Sequence, residues 1–234
     1  MAEDLIEEKK KKEKKKIETV IFDMDGLMFD TEALYLRGWT VAGRKHGFDI
    51  SGEYARSCVG LHKDINKIRM TEHFGEGFDF DAVRNDRVAW VFDYIEKNGT
   101  PVKKGLRELL AFLKDKGVRT ALGSCSLEDQ VKFSLKHAHL NHDFDVVVCG
   151  GGLKGKPDPA IYLQVLSELK TGPEKCLVLE DTPYGVLAAY RAGIRSIILT
   201  PDIVPPTPET EKLIAAKVDS LLDVIPIITE WNGY

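Results

Sequence analysis

No stretch of this chain is apolar for long enough to span a bilayer, and nothing in it resembles a signal peptide. Both absences point to a cytoplasmic protein with no membrane partner. Cysteine is scarce: Cys58, Cys125, Cys149 and Cys176 are scattered, and no two stand at CxxC spacing. That argues against a zinc site and for reduced thiols. Nor is there a strong excess of charge of one sign. The 33 Lys and Arg against 37 Asp and Glu leave a net charge of −4, which gives no reason to expect nucleic acid as the main partner. There is no internal repeat. The remaining composition is ordinary for a globular protein, 43% hydrophobic and 30% charged. A length of 234 residues suits one large domain, or one domain with a smaller insert.

One compositional oddity stands at the N-terminus, where Lys9 to Lys12 and Lys14 to Lys16 form a basic run broken only by Glu13. Residues 1–16 are expected to be a basic, disordered leader that aids solubility. The alternative is a tail that touches acidic lipid or nucleic acid. The fold is expected to begin near Ile17.

The most informative residues follow at once. Thr19-Val20-Ile21-Phe22 is a run of four β-favouring residues that predicts a short buried strand, and Gly26 predicts the turn that ends it. Between them stand Asp23 and Asp25. Side chains alternate along a strand, so the two carboxylates project to one side. Carboxylates that close repel unless a cation or a shared proton offsets them.

Four more strands are expected, over Val118 to Leu122, Val146 to Cys149, Cys176 to Leu179 and Ser196 to Leu199. Each is short and apolar throughout, as parallel strands covered on both faces should be. Helical spacing lies between them, over Gly105 to Lys116, Leu127 to Lys136, Pro159 to Leu169 and Gly185 to Ala192, and a last helix is expected over Glu209 to Lys217. Alternating strand and helix predicts an α/β fold, a doubly wound parallel sheet with a Rossmann-like core and right-handed crossovers. Residues 37–100 break the alternation. They hold helical patterns such as Ala82 to Tyr94 and no convincing buried strand, and predict an inserted α-helical cap domain. The α/β core is then 17–36 together with 101–234.

Ligands of open α/β sheets collect at the carboxyl ends of the strands. Strand one ends in Asp23 and Asp25, and strand two in Gly123-Ser124-Cys125-Ser126. A glycine loop after strand three carries Gly155-Lys156-Pro157-Asp158-Pro159, and strand four ends in Glu180-Asp181-Thr182. Four carboxylates, a hydroxyl and a lysine would converge. The carboxylates cannot all stay ionised together without a divalent cation, and magnesium suits an all-oxygen site. Magnesium, a lysine and a hydroxyl suit a phosphate group. Each residue has a plainer reading. Ser124 as a helix cap, Lys156 as an exposed loop lysine, and Glu180 and Asp181 as charges at a helix N-terminus are all ordinary. Their order, each after its own strand, makes coincidence improbable.

Phe22-Asp23-Met24-Asp25-Gly26-Leu27, Ser124, Gly155-Lys156-Pro157-Asp158-Pro159 and Leu179-Glu180-Asp181-Thr182 resemble the four motifs of the haloacid dehalogenase superfamily. Phe29-Asp30-Thr31-Glu32 and the helix from Gly185 to Gly193 resemble the subfamily of β-phosphoglucomutase and the sugar-phosphate phosphatases. The resemblance implies a magnesium-dependent phosphatase of small phosphorylated metabolites, such as sugar or nucleoside phosphates. Asp23 is then the nucleophile that forms an aspartyl-phosphate, and Asp25 the acid and base. Ser124, Cys125 and Lys156 bind the phosphoryl group, Lys156 also offsetting charge on the nucleophile. Asp23, the backbone carbonyl of Asp25, Glu180 and Asp181 bind magnesium, Glu180 directly or through water. His62 and Lys63 in the cap contact substrate, their alternative being solvated surface. A monomer is expected.

Departures from the mutase pattern favour hydrolysis. Tyr35 stands where the mutases carry a histidine, Lys63 where they carry an arginine, and Leu127 where they carry a lysine. A mutase must hold a second phosphate in the cap, and lysine lacks the bidentate grip of arginine. A phosphomutase of the β-phosphoglucomutase type remains the alternative. A phospho-accepting receiver domain of signalling proteins is disfavoured by Asp25 and by the insert.

Overall fold

A computed structural model describes residues 16–58, 63–200 and 205–234, with only the backbone of Lys63. Residues 1–15 of the basic leader and His62 therefore lie outside the described residues. Six strands form one sheet in the order β3-β2-β1-β4-β5-β6, all parallel. The strands are β1 (Thr19–Phe22), β2 (Arg119–Ser124), β3 (Val146–Cys149), β4 (Cys176–Glu180), β5 (Arg195–Leu199) and β6 (Ile214–Val218). Crossover helices α5 (Leu106–Asp115), α6 (Glu128–His137), α7 (Ala160–Leu169) and α8 (Pro183–Arg191) cover the faces, joined by the C-terminal α10 (Val224–Asn232).

Strand alternation explains the two cores. Val20, Phe22, Leu122 and Leu179 pack against Leu106, Leu109 and Leu113 of α5, Val131 of α6 and Ile228 of α10. Ile21, Ala121 and Val178 face the other way, onto Ile161, Tyr162 and Val165 of α7 and Ala188 and Ala189 of α8. Two residues beyond Ile21 and Val178, on this second parity, come Asp23 and Glu180. The sheet therefore aims both carboxylates over the α7 layer before any loop geometry is considered.

Between β1 and β2 stand α1 (Thr31–Lys45), α2 (Gly52–Arg56), α3 (Lys63–Phe74) and α4 (Phe80–Asn98). Trp39, Ala42, Ile50, Met70, Phe80 and Val83 give these helices a core of their own. A smaller cluster of Leu34, Val91 and Ile95 reaches Phe133 of α6. The two chain crossings run side by side: Phe29 bridges Val102, and the Asp30 amide donates to the Pro101 carbonyl at 2.9 Å. The boundary expected between residues 36 and 37 falls inside α1, which runs unbroken from Thr31 to Lys45.

The C-terminal expectation is corrected. In place of a helix over Glu209 to Lys217 there is a single turn, α9 (Pro208–Glu211), and then the edge strand β6, which pairs with β5. Alanine and lysine favour helix intrinsically, but an open parallel edge beside β5 outweighs that small preference.

Candidate active site

Asp23 leaves β1 in the middle of the sheet, between the ends of β2 and β4. The pairing of Phe22 with both Leu122 and Leu179 fixes this, and the Asp23 amide donates to the Leu179 carbonyl at 3.0 Å. Lys156 arrives from the loop after β3. Its Nζ donates to Asp23 Oδ1, to Glu180 Oε1 at 2.6 Å and to the Gly123 carbonyl at 3.4 Å. The Lys156, Asp23 and Glu180 side chains keep 9%, 11% and 1% of their exposure, so this is a nearly dry charge cluster. The lysine is not the exposed loop residue of the plainer reading.

Burial pushes the Asp23 carboxyl up to about 8. Lys156 pulls against that shift, while Glu180 and Asp25 add to it. Burial, then Asp23 and Glu180, hold Asp181 well above the usual carboxylate range. Burial opposes the Lys156 ammonium, but Asp23 and Glu180 together keep its pKa well above the ordinary lysine value. These are the signs of a site short of positive charge. Asp23, Glu180 and Asp181 each offer a ligand oxygen within 4.8 Å of the others, and Asp181 Oδ1 is buried without a hydrogen-bond partner among the described residues. An all-carboxylate donor set with an orphaned buried oxygen fits a hard divalent cation such as magnesium.

Asp25 takes its hydrogen-bond partners outside that cluster. Thr31 Oγ1 donates to Asp25 Oδ1 and Ser126 Oγ to Oδ2, both at 2.7 Å. One hydroxyl comes from the start of α1 and the other from the loop after β2, so Asp25 is fixed between the two. Ser124 Oγ accepts from the Ser126 amide at 3.1 Å, which leaves its own proton free to donate. Cys125 is exposed, with its thiol in the field of Lys156.

Two glycines show how tightly the loops are drawn. Gly26 has φ +85°, and a Cβ there would lie 2.0 Å from Asp181 Oδ2. A Cβ on Gly185 would lie within 2.1 Å of both Glu180 oxygens. Thr182 caps α8 by accepting from the Gly185 amide at 3.1 Å, which brings the positive end of that helix beside Glu180 and Asp181.

The expected residues Asp23, Asp25, Ser124, Lys156, Glu180 and Asp181 are thus brought together, with Cys125 on the rim. His62 and the side chain of Lys63 lie outside the described residues. Sequence reasoning missed three contributors. Thr31 and Ser126 stood inside quoted motifs without a role. Tyr162, whose phenol donates to Glu180 Oε1 at 2.5 Å, had no signal beyond an apolar helix position. The sequence reading also found no buried cation in the cap. Arg87 of α4 has its guanidinium carbon 4.9 Å over the Tyr35 ring and 4.6 Å over the Trp39 ring. Its Nε is buried and unpartnered among the described residues. Burial pushes its pKa down to about 10, with Tyr35 and Asp25 opposing.

A parallel sheet of this order, with an aspartate after the first strand, a lysine after the third and an acidic pair after the fourth, defines a phosphoryl-transfer hydrolase. The chain belongs to the haloacid dehalogenase-like hydrolases, whose sequence model matches residues 20–199. It is 34% identical over 185 residues to the phosphorylated carbohydrates phosphatase of Thermotoga maritima, covering 77% of this chain and 84% of that one. It is 29% identical over 200 residues to hexitol phosphatase B of Escherichia coli, covering 84% and 87%. The fold also matches a β-phosphoglucomutase from Clostridium difficile at 23% identity, with a TM-score of 0.73 over 93% of this chain and 97% of that one. No described helix is long and apolar enough to cross a membrane.

Proposed function

We propose that this protein is a magnesium-dependent phosphatase of small phosphorylated metabolites, sugar phosphates foremost, working through an aspartyl-phosphate on Asp23. The observation that carries the reading is the placement of two aspartates with separate duties. Asp23 is bound to Lys156 inside the charge cluster. Asp25 is held outside it by Thr31 and Ser126.

An Asp23 carboxylate oxygen attacks phosphorus, and the bond to the leaving oxygen breaks. Asp25 gives its proton to that oxygen, so the metabolite departs as an alcohol. Asp25 then takes a proton from water, whose oxygen attacks the phosphoryl group and frees Asp23 and inorganic phosphate. Lys156 and the Ser124 hydroxyl hold phosphoryl oxygens where charge develops. Asp23, Asp181 and the Asp25 carbonyl would hold the magnesium, with Glu180 directly or through water, and the ion would supply Lewis-acid neutralisation of phosphoryl charge. The helices of the insert act as a cap that excludes bulk water from Asp25. A cytoplasmic location and the monomeric state belong to the same reading.

A phosphomutase is the second reading, and Arg87 is the observation in its favour: a buried guanidinium whose Nε has no partner among the described residues, and which feels the Asp25 charge, can take a second phosphate. Tyr35 and Leu127 still stand where the mutases carry histidine and lysine. A panel of phosphorylated metabolites assayed with magnesium and with EDTA tests the proposal. Phosphate release that is abolished by EDTA and restored by magnesium is expected. Full turnover without metal refutes it, and fast conversion of β-glucose 1-phosphate to glucose 6-phosphate with little free phosphate moves the assignment to the mutase.

A further inference from the structure

Tyr162 plays no part in the chemistry above, yet it is the largest of the fully buried side chains. Its neighbours on the buried face of α7 are Ile161, Val165, Leu166 and Leu169. Phenylalanine would serve that packing. The hydroxyl instead sits beneath the charge cluster. It donates to Glu180 Oε1 at 2.5 Å, and Lys156 Nζ lies 5.1 Å from the ring centroid.

The consequence is seen at Glu180. Oε1 accepts from Lys156 and from Tyr162. Oε2 accepts from the Asp181 amide at 3.2 Å, the Thr182 amide at 3.4 Å and the Thr182 hydroxyl at 3.2 Å. An ionised carboxylate offers about four lone-pair sites, and these donors use them all. Asp181 differs, with a buried Oδ1 that has no partner among the described residues. The three carboxylates of the acidic cluster are therefore not equivalent as ligands, although all lie close enough to be.

We propose that Tyr162 is a positioning residue that commits Glu180 to Lys156 and keeps it out of the metal's coordination shell. Asp23 and Asp181 then supply the side-chain ligands, and Glu180 acts on the reaction through the lysine. Loss of the hydroxyl frees a lone pair on Oε1 beside a cation. The carboxylate turns toward that cation, and Lys156 loses the anchor that aligns it with the phosphoryl oxygen. The kinetic part of this inference rests on the phosphatase reading; the metal part does not.

The test is calorimetric titration of the full chain with Mn2+ alone, for the unaltered protein and for Asp181→Asn, Glu180→Gln, Tyr162→Phe and the double variant Tyr162→Phe/Glu180→Gln. Asp181→Asn should lose measurable binding, while Glu180→Gln shifts Kd by less than about threefold. Tyr162→Phe should bind Mn2+ about tenfold more tightly, because the freed Glu180 oxygen adds an anionic ligand and affinity rises with ligand charge count. The double variant should lose that gain. Phosphate release by Tyr162→Phe should show kcat down about tenfold at unchanged KM. Mere packing predicts none of these shifts in affinity. Glu180→Gln abolishing Mn2+ binding as Asp181→Asn does would overturn the proposal, as would a Tyr162→Phe protein with unaltered Kd and kcat. If Glu180→Gln does not fold, the Tyr162→Phe measurements decide. If the unaltered chain releases phosphate from no substrate, the phosphatase reading fails while the Mn2+ comparison still stands or falls by itself.

Discussion

Lys156→Met removes the one cation that Asp23 and Glu180 share while keeping the length of the side chain. Both partners are nearly buried, and Glu180 is 0% exposed as a residue. Breaking a buried pair by removing one member costs about 3–5 kcal/mol, because a charge is left without compensation. Glu180 keeps Tyr162 and the Thr182 hydroxyl as donors, so the burden falls mainly on Asp23. Lys156 is also the chief influence holding Asp23 down to about 8, so Asp23 rises further in the variant. The sign follows from linkage. Above about pH 8 the unaltered protein has released the Asp23 proton in its folded state, whereas the variant retains it. The variant's deficit therefore widens as pH climbs past 8. Urea denaturation in EDTA should show a small deficit near pH 7, where Asp23 keeps its proton in both proteins, growing toward about 3 kcal/mol at pH 9, with an unchanged m-value. Turnover with magnesium should fall by about 10²–10³, the usual cost of deleting one donor to developing charge. Adding Glu180→Gln should restore part of the stability and none of the turnover, since it removes an orphaned charge without replacing the lysine. A deficit below about 1 kcal/mol that does not vary with pH would refute the view that Lys156 is the keystone of a dry charge cluster.

Asp23→Asn should keep its fold by circular dichroism and lose phosphate release by several orders of magnitude, with no phosphoaspartyl adduct in mass spectra. Gly26→Ala forces a side chain into φ +85° and against Asp181 Oδ2, so calorimetry should show weakened Mg2+ binding, together with a stability loss of about 1–3 kcal/mol. In EDTA the unaltered chain should become less stable as pH rises from about 5 to 8. Over that range folded Asp23 keeps a proton that the unfolded chain has released, at up to about 1.4 kcal/mol per pH unit, and the raised Asp181 pKa acts in the same direction. Magnesium should reverse this trend in thermal melts, and a flat or rising profile in EDTA would contradict the raised pKa values.

The residues at the strand ends were legible because each rests on a local rule. The apolar runs Thr19–Phe22 and Cys176–Glu180 lead straight into Asp23 and Asp181, whereas strand alternation does not carry on to Asp25, because β1 ends at Phe22 and Asp25 takes its own partners, Thr31 and Ser126. The Gly26 turn and the sequence after Thr182 needed no distant partner to be recognised. β6 was not legible, because Ile214-Ala215-Ala216-Lys217-Val218 has no strong preference of its own and becomes a strand only beside β5. The run of α1 through Tyr35 was hidden for a related reason: the helix is held by an apolar face shared with the rest of the cap.

What the sequence determined by itself is which chemistry-bearing groups stand after which strand, since side-chain order and period are properties of the covalent chain. Tertiary structure alone decided which groups touch. Tyr162 lies 18 residues from Glu180 and Lys156 lies 133 from Asp23, and neither pairing leaves a trace in local spacing. The division of labour among the carboxylates therefore arises only when the sheet closes. Burial then strips water from Asp23, Glu180 and Asp181, and each must find its compensation from donors that the fold, not the neighbouring sequence, brings within reach.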